Sequence, residues 1–214
     1  IAFSLHLGVS VVESGLLASL PLILAGISPF IFHSLFKKFT LSSWVLVACA
    51  IQCFAIALLA LLGVFGVAKT SLFTCLLAIF SIYWFGHFSA LPSWNKWIAE
   101  LVPHDLSDRF FAKRTRMNQI GILSGLIMGG LALHLEILKF STSFLYILLF
   151  VVSYHFKFIA LYVFYKLPKS KSYYDLSYSK CLAFFKKQKD FFKNYSLFNF
   201  SLYLSAPFVS GYLL

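Results

Sequence analysis

The sequence predicts an all-α integral membrane protein whose helices cross the bilayer several times. Hydrophobic residues make up 60% of the 214 positions and charged residues only 12%. A soluble domain of this size is close to half apolar and about a quarter charged. One soluble core cannot bury this excess, so we expect lipid to surround much of the apolar surface. The apolar residues are also segmented, in runs of about twenty separated by polar tracts.

Six segments have the length and composition of a spanning helix, which needs about 20 mostly apolar residues. They are residues 10–33, 42–66, 71–94, 118–138, 142–165 and 197–214. We expect helices because backbone polar groups in lipid must bond within their own segment, and because the alternating pattern of a membrane barrel is absent from the sequence. Residues 1–9 resemble the end of an earlier element. Since the chain opens at Ile1 without Met or a basic leader, we expect a piece of a longer protein.

The tracts between the segments predict the orientation of the helices. Fifteen of the eighteen Lys and Arg residues fall on one side, in tracts 37–38, 96–116 and 166–193. Only Lys69 and Lys139 fall on the other side. The positive-inside rule then predicts a multi-pass protein of the cell inner membrane with its basic loops in the cytoplasm. On this interpretation Ser93–Arg116 is largely a cytoplasmic loop, and the net charge of +11 reflects topology, with no nucleic acid among the partners.

The sequence also divides the chain into three parts. Residues 1–165 hold five predicted spans, residues 166–196 form a basic tract, and residues 197–214 form the last span. Within the tract, residues 180–195 place their aromatic side chains at helical spacing between lysines, which predicts an amphipathic helix at the membrane surface. The alternative is a basic linker whose aromatic side chains only approach the next span.

Polar residues inside predicted spans are costly in lipid and are therefore candidates for function. Lys157 lies about nine residues, or about 13 Å of helix, from the basic end of its span. Its alternative role is snorkelling, with the aliphatic stem in lipid and the ammonium group at depth near a partner. His87 either binds a substrate or is a hydrogen-bonded packing residue. The candidates for a substrate cavity are His87, Trp84, Asn118, Gln119, Asn199 and Tyr203, and Gln52 is a further polar residue within a span.

Glycines spaced four residues apart form one stripe of the segment 118–138. Small residues at this spacing allow helix backbones to approach closely in lipid. We therefore predict a helix-packing role for Gly121, Gly125 and Gly129. No Cys and His spacing in the sequence is typical of a metal site, and no nucleophile–base pair can be named. We expect no catalytic residues, no metal, no cofactor and no enzyme activity.

A longer motif resembles a known family. Within 92–116, a "P-x-W-x-x-W-I-x-E-L-V-P" run is followed by "R-x-F-F-x-x-R-x-R", a pattern similar to a loop of bacterial major facilitator superfamily proteins. The matching residues are Pro92, Trp94, Trp97, Ile98, Glu100, Leu101, Val102, Pro103, Arg109, Phe110, Phe111, Arg114 and Arg116. The first and last predicted spans also resemble the second and seventh helices of that family. The resemblance implies a facilitator-type helical bundle, of which this chain would cover about helices two to seven.

The resemblance also implies a function, which we state as an expectation. Proteins of this family are secondary transporters that move a small solute by alternating access between two halves. The expected partners are the lipid bilayer, a small-molecule substrate and the remaining helices of the full-length protein; coupling to H⁺ or Na⁺ is left open. Asp108, Arg109, Arg114 and Arg116 are candidates for a cytoplasmic gate, unless this tract serves only as a topology signal. Alternatives are a facilitator-like binding or scaffold protein that transports nothing and, with least support, a membrane-embedded enzyme.

Overall fold

The structure, a computed structural model, describes residues 2–31, 37–134 and 141–173. The chain divides into two units, Ile1–Tyr174 and Asp175–Leu214, and every described residue lies in the first. The described part contains six α-helices, one 3-10 helix and no β-strand beyond a single bridge. The helices are α1 (Ala2–His6), α2 (Val11–Ile31), α3 (Leu41–Phe65), α4 (Lys69–Leu101), the 3-10 helix (His104–Leu106), α5 (Ser107–His134) and α6 (Thr142–Lys166).

Four of these helices, α2, α3, α4 and α6, are long and apolar enough to cross a membrane. They confirm the all-helical prediction and coincide with the segments predicted at 10–33, 42–66, 71–94 and 142–165. The segment 118–138 falls on α5 as far as His134 and then leaves the described residues, and α5 is not among the four. The predicted helix at 180–195 and the predicted span at 197–214 both lie outside the described residues. Six spans therefore stay a prediction.

Large apolar side chains cover the outer surface of the bundle. On α6, Phe156 is 71% exposed, and Ile159 and Val163 are exposed as well. On α2, Val11 and Ile23 are similarly uncovered. A soluble monomer rarely exposes an apolar surface of this extent, whereas in hydrocarbon such a surface costs nothing. The exposed faces therefore agree with helices surrounded by lipid.

The spanning helices pack side by side in the order α2, α4, α3, α6. Short caps set where they begin: the hydroxyl of Thr40 accepts a hydrogen bond from the Ser43 amide at the start of α3, and Ser141 does the same for Phe144 at the start of α6. Helix α3 ends at Gly66, whose φ of 66° is the left-handed conformation that glycine adopts easily. Helix α5 packs much less closely, against α6 and the 3-10 helix.

Gly86 of α4 makes a close contact between two helices. A Cβ atom built on Gly86 would lie 2.9 Å from the carbonyl oxygen of Ala48 and 3.1 Å from Cγ of Gln52, both on α3. Next to it, the indole of Trp44 donates a hydrogen bond of 3.0 Å to the carbonyl oxygen of Ser89. Small side chains and interhelical hydrogen bonds are what hold helices together in lipid. The α3–α4 pair is therefore held by a close backbone contact and an interhelical hydrogen bond.

The predicted glycine stripe on α5 has a different environment. No described residue lies within 4 Å of a Cβ atom built on Gly121, Gly125 or Gly129. Their role in helix packing stays a prediction, because the described residues provide no helix that approaches them. The sequence pattern did not single out Gly86, since only one glycine contributes to its contact and the other side is the backbone of Ala48.

The tract expected to be mainly a loop, 93–116, is largely helical. Helix α4 continues past Pro92 to Leu101, and α5 begins at Ser107, so only residues 102–106 connect them. Val102 has an extended conformation, as is usual for a residue before proline, here Pro103. The expectation of a long loop was wrong. Most of the charged residues of the tract lie on two helices, which continue beyond their apolar segments.

A short extended segment, residues 168–173, closes one end of the bundle. The hydroxyl of Ser170 donates to the carboxylate of Glu100 at 2.6 Å, and the amide of Ser170 donates to the hydroxyl of Ser42 at 3.2 Å. The indole of Trp97 donates to the carbonyl oxygen of Pro168 at 3.0 Å. We call this segment the strap, and the end of the bundle that it closes the basic end. The strap joins the last residues of α6 to the start of α3 and the end of α4.

Replacing Gly86 by Ala should weaken the α3–α4 joint, because the new methyl group would meet a backbone oxygen that cannot move aside. Overpacking of this kind costs about 1–3 kcal/mol. We expect Gly86→Ala to lower the thermal unfolding midpoint in detergent. Gly26→Ala is the matched control, since no described residue lies within 4 Å of its Cβ position. Equal midpoints for the two variants would contradict the close contact.

Replacing Ser170 by Ala should loosen the strap, because its hydroxyl bonds both Glu100 and the amide of Ser172. A hydrogen bond to a charged group contributes about 1.5–3 kcal/mol. We expect trypsin to cut after Lys171 several times faster in Ser170→Ala, as measured by mass spectrometry of the released peptides. Ser124→Ala serves as control, since that hydroxyl bonds only to a carbonyl within its own helix. Unchanged cleavage at Lys171 would show that these bonds do not hold the strap.

Candidate functional site

A polar cavity of about 520 Å³ lies between α3, α4, α5 and α6. It begins near the middle of the bundle, where Gln52 and His87 lie close to the midpoints of α3 and α4, and extends toward the basic end, where Trp94 and Phe164 line it. Its volume is typical of sites for small molecules. The lining residues are Val45, Cys49, Gln52, His87, Ala90, Leu91, Trp94, Arg114, Thr115, Asn118, Lys157 and Phe164.

Two of the six predicted cavity residues line this cavity, namely His87 and Asn118. Trp84 lies beside it: its ring contacts that of His87 edge-on, with ring centroids 5.5 Å apart. Trp84 itself lines a smaller apolar hollow with Tyr83 and Phe150. Gln119 is exposed on α5 and lines neither. Asn199 and Tyr203 lie outside the described residues.

The four predicted gate residues are placed on different faces of α5. Arg114 lines the cavity. Arg109 and Arg116 line a separate hollow together with Lys113. Asp108 is exposed in the first turn of α5. The structure thus separates Arg114 from the other three, and its position on the cavity wall was missed in the sequence analysis.

Arg114 is held in place by neutral neighbours. Its Nη1 donates a hydrogen bond of 3.0 Å to Oδ1 of Asn95 on α4. The guanidinium carbon also lies 5.6 Å from the ring centroid of Trp94 and 5.8 Å from that of Phe111, both within cation–π range. Aromatic faces and an amide orient a guanidinium group without cancelling its charge. Arg114 therefore brings an oriented positive charge to the cavity.

Lys157 brings a second cationic side chain to the cavity wall. It lies on α6, nine residues before the last residue of that helix, Lys166. The side chain is half-buried in the wall of the cavity. The snorkelling alternative stays a prediction.

Neutral polar groups complete the wall. Gln52 is only 3% exposed, and its Oε1 has no hydrogen-bond partner among the described residues. A buried amide without a partner costs about 1–3 kcal/mol, so such a group usually has a ligand or a water molecule to bond. On α5, Thr115 and Asn118 are three residues apart and therefore face the same side. We had not predicted Thr115 from the sequence, although this spacing beside Asn118 was a usable signal.

The chemistry available in the cavity is that of binding. Four of the lining side chains, those of Arg114, Lys157, Thr115 and Asn118, can donate hydrogen bonds to a solute, and Oε1 of Gln52 can accept one. Within residues 2–31, 37–134 and 141–173, no three His, Cys, Asp or Glu side chains are grouped so that they could hold a metal ion. The expectation of no cofactor and no catalysis stays a prediction.

No family model matches the chain, and neither a curated protein nor a solved structure does. The resemblance to the major facilitator superfamily consequently rests on the motif in 92–116 and on the first and last predicted spans, and it stays a prediction. The structure establishes the fold class and not the family. The described chain is all helical, and four of its helices suit a multi-pass membrane protein.

Proposed function

We propose that this protein is a secondary active transporter of the facilitator type, which moves a small solute across the membrane by alternating access. The observation that carries this proposal is the polar cavity between α3, α4, α5 and α6. Polar groups within membrane-spanning helices are costly, and they mark solute pathways by default. Secondary transporters bind their substrate near the middle of the bilayer.

The depth of the cavity supports the same conclusion. Gln52 lies eleven residues after the start of α3, or about 16 Å along the helix, which is close to half a bilayer. The cavity then continues to Trp94 near the basic end. In alternating access, each of the two states opens a path from one membrane face to a site near the middle of the membrane. The cavity has the extent of one such path. A scaffold protein has no need of such a path.

Transport should depend on the volume of the cavity. Ala90 lines it, so Ala90→Trp would occupy much of the space, while Ala50→Trp makes the same change in an apolar hollow between α3 and α6. We expect the full-length protein, reconstituted in vesicles, to take up at least one solute from a panel of sugars, amino acids, carboxylates and phosphates under a proton or sodium gradient. Ala90→Trp should reduce this uptake at least tenfold and Ala50→Trp less than twofold.

The same measurement separates the two candidate functions. Saturable uptake that Ala90→Trp abolishes supports a transporter. A solute that stabilises the purified protein against heat, combined with no uptake under any gradient, supports the non-transporting binding protein instead. Uptake that both tryptophan variants reduce equally would mean that the cavity is not the pathway.

The proposed orientation places the basic end in the cytoplasm. Lys113 lies near this end on α5, and Val67 lies between α3 and α4 at the other end; both are exposed. In a variant whose native cysteines are replaced by serine, we expect Val67→Cys to react with a membrane-impermeant maleimide in intact cells. Lys113→Cys should react only in inverted vesicles. The reverse labelling pattern would overturn the orientation.

A further inference from the structure

We infer that the solute is a small organic anion, bound through a carboxylate or phosphate group by Arg114 and Lys157. This inference rests on the proposed transport function and names its substrate class. It comes from the charges along the cavity wall. Two basic side chains line the cavity, and no Asp or Glu is among the lining residues that the structure describes.

The described carboxylates are all placed elsewhere. Glu13 accepts hydrogen bonds from Ser10 at the start of α2, and Glu100 accepts one from Ser170 in the strap. Asp105 and Asp108 are exposed in and next to the 3-10 helix at the basic end. None of these four acids lines the cavity, so none is placed there to compensate Arg114 and Lys157.

Unpaired cations in a membrane bundle are expensive. A Lys or Arg at the centre of a spanning helix costs about 2.5–3.5 kcal/mol on insertion, and such residues usually pair with an opposite charge. Lys157 has no described carboxylate beside it in the cavity. An anionic solute would supply the missing charge, and it would do so only while bound. A neutral or cationic solute would leave this cost in place.

The geometry of Arg114 suits a carboxylate or a phosphate. A guanidinium group has five N–H donors in a planar fork that matches the oxygen pairs of these groups. The structure assigns one Arg114 hydrogen bond, the one to Asn95, and the Trp94 and Phe111 rings contact the group through their faces. Donors therefore remain for an anion, while the orientation of the fork is already set.

Neutral groups near the two cations fit the remainder of an organic anion. The buried Oε1 of Gln52 has no partner among the described residues and can accept a hydrogen bond, and Asn118 and Thr115 offer further donors and acceptors. His87 and Trp94 add ring surfaces. A volume of about 520 Å³ exceeds what an inorganic ion needs and accommodates a molecule with a carbon skeleton.

The first test compares ligands that differ in charge. Thermal unfolding of the purified full-length protein is followed in a lipid-free neutral detergent with succinate, glycerol phosphate, glycerol or choline. Glycerol phosphate and glycerol form the matched pair, since only the phosphate differs. We expect at least one of the two anions to raise the midpoint in a saturable manner, and glycerol and choline to leave it unchanged. No effect of either anion, or a rise with glycerol as large as that with glycerol phosphate, would overturn the inference.

The second test removes the cations one at a time. Arg114→Gln and Lys157→Gln should each weaken anion binding by about tenfold or more, as expected for loss of a charge-assisted hydrogen bond. The controls are Arg116→Gln, on the same helix but outside the cavity, and Lys96→Gln, an exposed lysine. Arg114→Lys and Lys157→Arg keep the charge and should retain part of the affinity. If one Gln variant does not fold, the inference is tested by the other Gln variant and by the comparison of glycerol phosphate with glycerol. Undiminished anion binding in the folded Gln variants would refute the assignment.

Anionic lipid headgroups also carry phosphate groups. A third test therefore distinguishes a soluble anion from a lipid headgroup as the bound ligand. The measurement is repeated in nanodiscs of phosphatidylcholine and of phosphatidylglycerol. Stabilisation by the soluble anion in phosphatidylcholine supports a solute site, whereas stabilisation by phosphatidylglycerol alone overturns it. Anion binding without uptake would count against the transport proposal and leave the anion site standing. Uptake of a neutral or cationic solute without anion binding would support the transport proposal and overturn the anion site.

Discussion

The close approach of α3 and α4 at Gly86 is the contact on which the rest of the described structure depends. Because Gly86 has no side chain, the backbone of α4 lies against the carbonyl oxygen of Ala48. Trp44 and Ser89 extend this joint by a hydrogen bond. Hydrocarbon gives apolar helices no general reason to associate, so close contacts of this kind must supply the specificity. They bring the polar residues of two helices together at the same depth.

The cavity is a consequence of that joint. Gln52 lies one helical turn from Ala48 on α3, and His87 follows Gly86 on α4, so the residues beside the contact also line the cavity. Helices α5 and α6 add Arg114 and Lys157 from the other sides. A side chain that is unfavourable in lipid becomes acceptable when it faces a polar interior shared by several helices.

Hydrogen bonds between elements hold both ends of the bundle. At the basic end, the strap connects α3, α4 and α6 through hydrogen bonds of Ser170, Trp97 and neighbouring backbone groups.

At the other end, α1 combines hydrogen bonds with ring contacts. The hydroxyls of Ser4 and Ser14 are 2.9 Å apart, and Nε2 of His6 lies 2.8 Å from the hydroxyl of Ser143. The ring of Phe3 lies 4.9 Å from that of Phe150. These contacts join α1 to α2 and α6.

The sequence by itself determined the class of the protein and the positions of four long apolar helices. Runs of about twenty apolar residues have few alternatives to a spanning helix, because the requirement is local and acts within each segment. It also identified His87, Asn118 and Lys157 as polar residues within predicted spans, where they are costly in lipid. Only the tertiary structure decided which of these meet. Arg114 lines the cavity and Gln119 does not, and a close helix contact is observed at Gly86. The packing role of the glycine stripe on α5 stays a prediction. The reason is physical: contacts between helices depend on how each helix is rotated and paired, and no single segment carries that information.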